Sequence, residues 1–276
     1  MKKVLVADKL SSQGVEFLKK IAQVDVRTGL EEKEIIKIIG DYDALLVRSQ
    51  TKVTAKIINA ADKLKIIGRA GVGVDNIDLA AATQKGIIVV NSPEGNTIAA
   101  AEHSLALLMS MSRNVPQAYE STKKGKWERN KFTGVECYGK TIGIIGLGKI
   151  GKCMANYANS LGMKVLGYDP FVSKEYAEKI GVELKDLDDI LKAADYLTFH
   201  IPKTKDTYHM IDREKFKIMK TGVRIVNCAR GGIIDEDALF EAVEMGKVAK
   251  AAVDVYEKEP LQLFPSQQLK ITHLHQ

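Results

Sequence analysis

Short β-branched runs alternate with stretches of helical apolar period along almost the whole chain, the pattern of a parallel sheet with helices on its faces. In the first third, strands are expected at Lys3 to Ala7, Gln23 to Val26, Ala44 to Val47, Lys65 to Gly68 and Ile87 to Val90. Helices fall between them, at Ser11 to Lys20, Glu31 to Ile39, Thr54 to Ala61 and Asp78 to Lys85. Asp78 can accept from unpaired N–H groups of its helix, and Gly40 and Gly86 suit the left-handed residue that closes one. The class is α/β, and this first third is a complete small domain.

After Asn91-Ser92-Pro93, the stretch Thr97 to Ser112 is apolar on nearly every face, so its helix should be buried between domains or against another subunit. The segment Lys123 to Tyr138 has little periodicity and reads as an extended surface excursion. A second alternation then runs through strands at Thr141 to Ile145, Lys164 to Tyr168, Tyr196 to His200, Arg224 to Asn227 and Ala251 to Val255.

Composition narrows the function classes. At 276 residues, two domains are expected, and no apolar stretch is long enough to span a bilayer. The opening Met-Lys-Lys leads directly into a strand, without the apolar core of a signal peptide, so a cytoplasmic protein with no membrane partner is expected. Cys137, Cys153 and Cys228 lie far apart in an odd count, which supports neither a disulfide framework nor a zinc site; no metal is expected. The net charge of +6 is spread among 35 acidic residues, so no nucleic-acid partner is implied. Only Lys123 to Arg129 forms a basic cluster, either a solvated loop or a rim attracting an anionic small substrate.

The most specific motif is Gly146-Leu147-Gly148-Lys149-Ile150-Gly151, placed directly after an apolar strand. Gly146 permits a tight turn, Gly148 lets the backbone approach a pyrophosphate, and Gly151 lets the next helix pack against the sheet, with its N-terminus and Lys149 facing the phosphates. The following strand ends at Asp169, the spacing at which a carboxylate receives the ribose hydroxyls of NAD and repels the extra phosphate of NADP. Arg230 stands past a strand end before two glycines, and acids follow another strand at Asp254, Glu257 and Glu259. Guanidinium, carboxylate and imidazole at separate strand ends are the parts needed to oxidise a hydroxy acid. Among the histidines, His103 reads as a packed residue with no acid beyond its neighbour Glu102, His209 as solvated, and His273 or His275 as the base.

The segments Arg48 to Val53, Gly68 to Asn76, Gly95 to Thr97, Gly125 to Arg129, the glycine motif and Asn227 to Asp235 carry a resemblance to the NAD-dependent D-2-hydroxyacid dehydrogenases, over nearly everything to Pro260. The resemblance implies a smaller flavodoxin-like α/β substrate domain over 1–93 and a Rossmann-type doubly wound parallel-sheet domain binding NAD over 94–276. It implies Arg230 as the substrate-carboxylate and transition-state arginine, Glu259 as partner of the catalytic histidine, and Arg48, Arg69, Ala70, Gly71, Val72 and Asn96 as substrate contacts. Lys149, Ile150, Asp169, Pro202, Cys228, Ala229 and Asp254 would line the NAD site, with His200 near it. A homodimer would use the 97–112 helix region and bring Arg129 to a neighbour's phosphate pocket. The departure is at Leu261 to Gln276, where Thr272-His273-Leu274 resembles a Thr-Pro-His-Leu-Gly motif without its proline, which favours His273 over His275, and where the family's returning helix is missing. Arg48 and Arg129 favour a phosphorylated substrate, 3-phospho-D-glycerate; the alternatives are a glyoxylate or hydroxypyruvate reductase and an NADH-binding interaction protein with little turnover.

Overall fold

The structure, a computed structural model, describes residues 1–259 and, as backbone, 271–273. It divides into two compact units, Met1–Asn96 and Thr97–Gln276. No helix among the described residues is long and apolar enough to cross a membrane.

The first unit runs β1 (Lys3–Val6), α1 (Ser12–Lys19), β2 (Gln23–Val26), α2 (Glu32–Ile38), β3 (Ala44–Val47), α3 (Ala55–Asn59), β4 (Ile66–Arg69), α4 (Leu79–Gln84) and β5 (Ile88–Asn91). Its strands are parallel in the order β2-β1-β3-β4-β5, which is the flavodoxin-like order. Because side chains alternate across a strand, Leu5 enters the larger core with Ile35, Leu45, Ile57 and Ile67, while Val4 and Val6 enter a smaller one with Ala22. Burial on both faces explains the continuous apolar runs. Asp78 caps α4, accepting from the Ala81 N–H at 2.9 Å, and Gly86 closes it at φ 67°. Gly40 does otherwise. It lies inside a 3₁₀ turn, Ile39–Asp41, that extends α2, and its φ is not positive.

The second unit runs α5 (Thr97–Arg113), α6 (Val115–Lys123), β6 (Thr141–Ile145), α7 (Lys149–Ser160), β7 (Lys164–Tyr168), α8 (Lys174–Lys179), β8 (Glu183–Leu184), α9 (Leu187–Ala193), β9 (Tyr196–Phe199), α10 (Arg213–Ile218), β10 (Val223–Asn227), α11 (Glu236–Glu244), β11 (Val248–Val253) and β12 (Ile271–His273). The sheet order β12-β11-β10-β9-β6-β7-β8 is parallel throughout and reverses direction at β6, the doubly wound Rossmann arrangement. One face buries Leu197, Phe199 and Ile225 beneath α9, α10 and α11, and the other buries Ile142, Ile144 and Tyr196 beneath α5 and α7.

Three elements differ from the sequence pattern. The α5 helix finds cover for much of its apolar surface within its own unit: Leu107, Leu108 and Met111 pack with the sheet residues Ile142, Ile144 and Tyr196, while Ile98 is 54% exposed. The polar stretch after Ser112 carries no apolar period, yet it forms α6, which begins with Pro116 in its first turn. The β11 strand begins earlier than expected, at Val248, because the polar Lys250 interrupts the apolar run yet pairs with Arg224 of β10, past a register shift between Val248 and Lys250.

Candidate functional site

The glycine loop joins β6 to α7 at the point where the strand order reverses. Gly146 sits at φ 95°, and a Cβ there would lie 2.6 Å from the His200 carbonyl oxygen, so only glycine fits this turn. A Cβ on Gly151 would lie 1.9 Å from the Gly146 oxygen, which shows how closely the first turn of α7 approaches the strand end. Gly148 is the opposite case, because a Cβ there would meet nothing within 4 Å. The space over Gly148 is open, at the N-terminus of a helix whose first N–H groups have no intrahelical acceptor, and that fits a pyrophosphate. Lys149 is exposed and Ile150 half-buried beside it.

Asp169 follows β7 and braces the loop. Its Oδ2 accepts from the Leu147 N–H at 2.9 Å and its Oδ1 from the Phe171 N–H at 2.9 Å. The carboxylate is thereby held half-buried beside the glycines, where a ribose would need it.

The strand ends on the other side of β6 carry the remaining groups. Arg230 follows β10, with Nη1 donating to the Ala229 carbonyl at 2.6 Å; buried Asn227 organises this turn by accepting from the Ala229 N–H and donating to the Arg230 carbonyl, both at 3.1 Å. Asp254 follows β11, and its N–H donates to the Asn227 carbonyl at 3.0 Å. Glu259 lies further along the same loop, where its Oε1 accepts from the Tyr256 N–H at 3.1 Å. In the backbone register His273 pairs with Val253, so topology brings the ends of β10, β11 and β12 to one edge of the sheet. His275 lies outside the described residues, as does the expected missing helix. Cys228 is held protonated, since burial pushes its thiol up to about 12, opposed by the hydrogen bond with Ser104 and aided, to a smaller extent, by the nearby Asp254 charge. Pro202 is exposed beyond β9. His200, at the end of β9, accepts or donates at 3.2 Å to Thr198 Oγ1, and desolvation of its imidazole pushes the pKa down to about 4, although the residue as a whole is only partly covered.

Two histidines have partners that sequence spacing did not show. His103 Nε2 lies 3.3 Å from Asp254 Oδ2, so this α5 histidine does have an acid, contributed by a residue far along the chain. His209 is not solvated: its Nε2 is 2.7 Å from Glu257 Oε1, and the Tyr208 ring stacks on it at 4.0 Å.

In the first unit a cavity of about 420 Å³ is lined by Arg48, Ser49, Arg69, Ala70, Gly71, Ser92, Gly95 and Asn96. Two guanidinium groups and no carboxylate line it, so it favours an anion. A Cβ on Gly71 would fall 2.0 Å from Arg69 Nη1, so any side chain there would displace the guanidinium from its present place. Val72 is one step removed and anchors the loop by accepting from Asn91 Nδ2 at 2.6 Å. The sequence reading missed Asp8. It is 2% exposed and accepts from the Arg48 N–H at 2.6 Å, the Thr51 N–H at 3.2 Å and the Thr51 hydroxyl at 2.6 Å. Asn76 completes the brace by donating to the Arg48 and Thr51 carbonyls, each at 2.7 Å. Arg129 is exposed in a 3₁₀ turn of the second unit and does not line this cavity. Among the described residues no group of ligating side chains could hold a metal ion.

A dinucleotide cradle at a topological switch point, with an arginine and acids on the neighbouring strand ends, defines a nicotinamide-dependent dehydrogenase. Residues 105–273 match the profile of the D-isomer specific 2-hydroxyacid dehydrogenase NAD-binding domain, and the chain belongs to that family. It is 57% identical over 261 residues to the D-3-phosphoglycerate dehydrogenase of Synechocystis, covering 95% of this chain and 47% of that protein. With the D-3-phosphoglycerate dehydrogenase of Archaeoglobus fulgidus it shares 56% identity, covering 94% of this chain and 49% of that one. The chain thus spans about half the length of the curated relatives it matches. Among solved structures, a glyoxylate reductase from Paecilomyes thermophila superposes with a TM-score of 0.90 at 28% identity, covering 99% of this chain and 87% of that one. A D-lactate dehydrogenase from Aquifex aeolicus, in complex with NAD and lactic acid, gives 0.84 at 30% identity, over 94% and 78%.

Proposed function

We propose that this chain performs the chemistry of a D-3-phosphoglycerate dehydrogenase, interconverting 3-phospho-D-glycerate and 3-phosphohydroxypyruvate with NAD, the step that opens phosphorylated serine biosynthesis. The observation that carries the substrate choice is the Arg48–Arg69 cavity, whose two guanidinium groups without a lining acid suit a phosphorylated acid better than glyoxylate.

Bound NAD supplies the hydride acceptor. Gly148 and the α7 N-terminus hold the pyrophosphate, with Gly146, Lys149, Ile150 and Gly151 shaping the cradle and Asp169 receiving the ribose. Pro202, Cys228, Ala229 and Asp254 border the same cofactor. Arg48, the Arg69 to Val72 loop and Asn96 contact the substrate. Arg230 clamps its carboxylate in a bidentate fork and stabilises charge on the reacting oxygen. His273 takes the hydroxyl proton, and Glu259 orients the imidazole and favours its charged form. The protein works in the cytoplasm as a homodimer through the outer side of the 97–112 helix region, where Ile98 remains exposed, and Arg129 serves the partner's phosphate pocket.

The test is NADH oxidation followed with phosphohydroxypyruvate, hydroxypyruvate and glyoxylate in parallel, beside a direct NADH titration. Highest kcat/KM with phosphohydroxypyruvate is expected. A preference for glyoxylate would transfer the assignment to a glyoxylate reductase, and tight NADH binding without turnover would make the chain a cofactor-binding interaction protein.

A further inference from the structure

The loop after β9 contains a group of side chains that the reaction as proposed does not use. His209 occupies the left-handed region at φ 49°, which disfavours any residue with a Cβ, so the surrounding contacts must hold it there. Its N–H donates to the Gly232 carbonyl at 2.7 Å, joining it to the loop that carries Arg230. Its Nε2 meets Glu257 Oε1 at 2.7 Å, joining it to the loop that carries Glu259. Tyr208 stacks on the ring and gives its hydroxyl to the second Glu257 oxygen at 3.3 Å, so both carboxylate oxygens are engaged from the β9 loop.

These two loops also lean on each other through backbone alone. A Cβ on Gly231 would fall 1.9 Å from the Tyr256 carbonyl oxygen and 2.6 Å from the Glu257 nitrogen. The Arg230–Gly232 turn therefore rests on the Tyr256–Glu257 peptide, and whatever fixes that peptide fixes the turn. Glu236 Oε1 accepts from the Glu257 N–H of this peptide at 2.6 Å, and Glu259 accepts from the Tyr256 N–H of the peptide before it, so the support of the Arg230 turn and the hydrogen bond of Glu259 fall on adjacent peptides.

We infer that His209 is a positioning residue, a latch that grips Glu257 and thereby sets the loops bearing Arg230 and Glu259. The inference rests on the catalytic reading of those two residues, yet it makes its own structural claim. Releasing the latch leaves Gly146, Gly148 and Asp169 untouched, so cofactor binding is spared while the groups that act on substrate lose their alignment.

The test uses this chain with His209→Gly, which keeps the left-handed backbone without strain and removes only the imidazole, and with Glu257→Gln, which retains an acceptor for the ring. In His209→Gly, kcat for phosphohydroxypyruvate reduction should fall by roughly 10- to 100-fold, the penalty of shifting reacting groups by about an ångström, while NADH affinity stays unchanged. Glu257→Gln, which keeps His209 and leaves it an amide oxygen to donate to, should lose far less turnover than His209→Gly. Amide hydrogen exchange, read independently of turnover, should speed up at 230–232 and 256–259 in His209→Gly, outside the substituted loop itself, and stay unchanged at the glycine loop 146–151. Unchanged exchange in those loops would overturn the latch even if the unmodified chain has no turnover, and unchanged kcat in an otherwise active protein would do so as well. An inactive parent whose loops still loosen in His209→Gly would instead count against the catalytic reading alone.

Discussion

Gly148→Ala separates cofactor binding from folding in a way that no other position of the glycine loop allows. The residue has φ −64°, which alanine adopts freely, and its Cβ would meet no atom of the protein within 4 Å. The only structural cost is the exchange of glycine for alanine at a helix N-cap, about 1 kcal/mol or less. If the pyrophosphate lies over this residue, however, the methyl group occupies its approach and holds the phosphates away from the α7 N–H groups. Hydrogen bonds to a charged acceptor are worth about 1.5–3 kcal/mol each, so losing one weakens NADH binding by roughly 10- to 150-fold. Gly151→Ala is the control. Its Cβ would lie 1.9 Å from the Gly146 oxygen, so α7 must shift, at an overpacking cost of about 1–3 kcal/mol. Calorimetric NADH titration and thermal melting of both variants check the pair: Gly148→Ala should melt like the parent and bind poorly, and Gly151→Ala should melt lower. NADH affinity within twofold of the parent in Gly148→Ala would falsify the placement of the pyrophosphate.

Other perturbations probe separate parts of the site. Arg230→Lys should abolish most turnover with NADH affinity unchanged, since an ammonium cannot reproduce a bidentate fork; steady-state kinetics beside a titration decide, and near-normal turnover would remove Arg230 from the chemistry. Asp8→Ala strips three acceptor interactions from the Arg48–Thr51 loop and should raise KM for phosphohydroxypyruvate at least severalfold without changing NADH affinity, whereas an unchanged KM would dissociate that loop from the substrate. For His200 the folded state keeps the imidazole neutral down to about 4, against a usual value of 6.5, so within that window the unfolded chain binds the extra proton and stability falls as pH falls. Urea midpoints should therefore drop from pH 6.5 to 4, by up to about 1.4 kcal/mol per unit from this group, and His200→Gln should flatten the slope; equal slopes would show that His200 is not the group responsible.

Legibility in the sequence follows the range of the interaction concerned. The strands Ala44–Val47, Thr141–Ile145 and Lys164–Tyr168 are readable because both faces of each are covered and the runs are short and bounded. The glycine loop and Asp169 are readable because strand, turn, helix and acid follow one another along the chain. Partners such as His209 with Glu257, or His103 on α5 with Asp254, are far apart along the chain, and the fold alone brings them together, at the ends of the β9 and β11 strands in the first case and on α5 and the end of β11 in the second. Asp8 escaped for the same reason: it looks like an ordinary polar residue after a strand, and its acceptors' work is done on a loop beyond β3. For α5 an apolar composition says that the helix is covered but not by what, and Leu107, Leu108 and Met111 find their cover within the unit.

Asp169 constrains any attempt to redesign cofactor choice. A carboxylate offers about four lone-pair directions. The Leu147 and Phe171 N–H groups take one on each oxygen, which leaves one on each for the two hydroxyls of a ribose. The residue that would read the sugar is thus also a fastener of the phosphate loop, and the two duties draw on a single set of acceptors. A serine installed to admit NADP relieves charge repulsion but unfastens Leu147, so a switch in preference would arrive with slackened binding of both cofactors. Redesign would have to supply a new acceptor for the Leu147 N–H before altering the reader of the sugar.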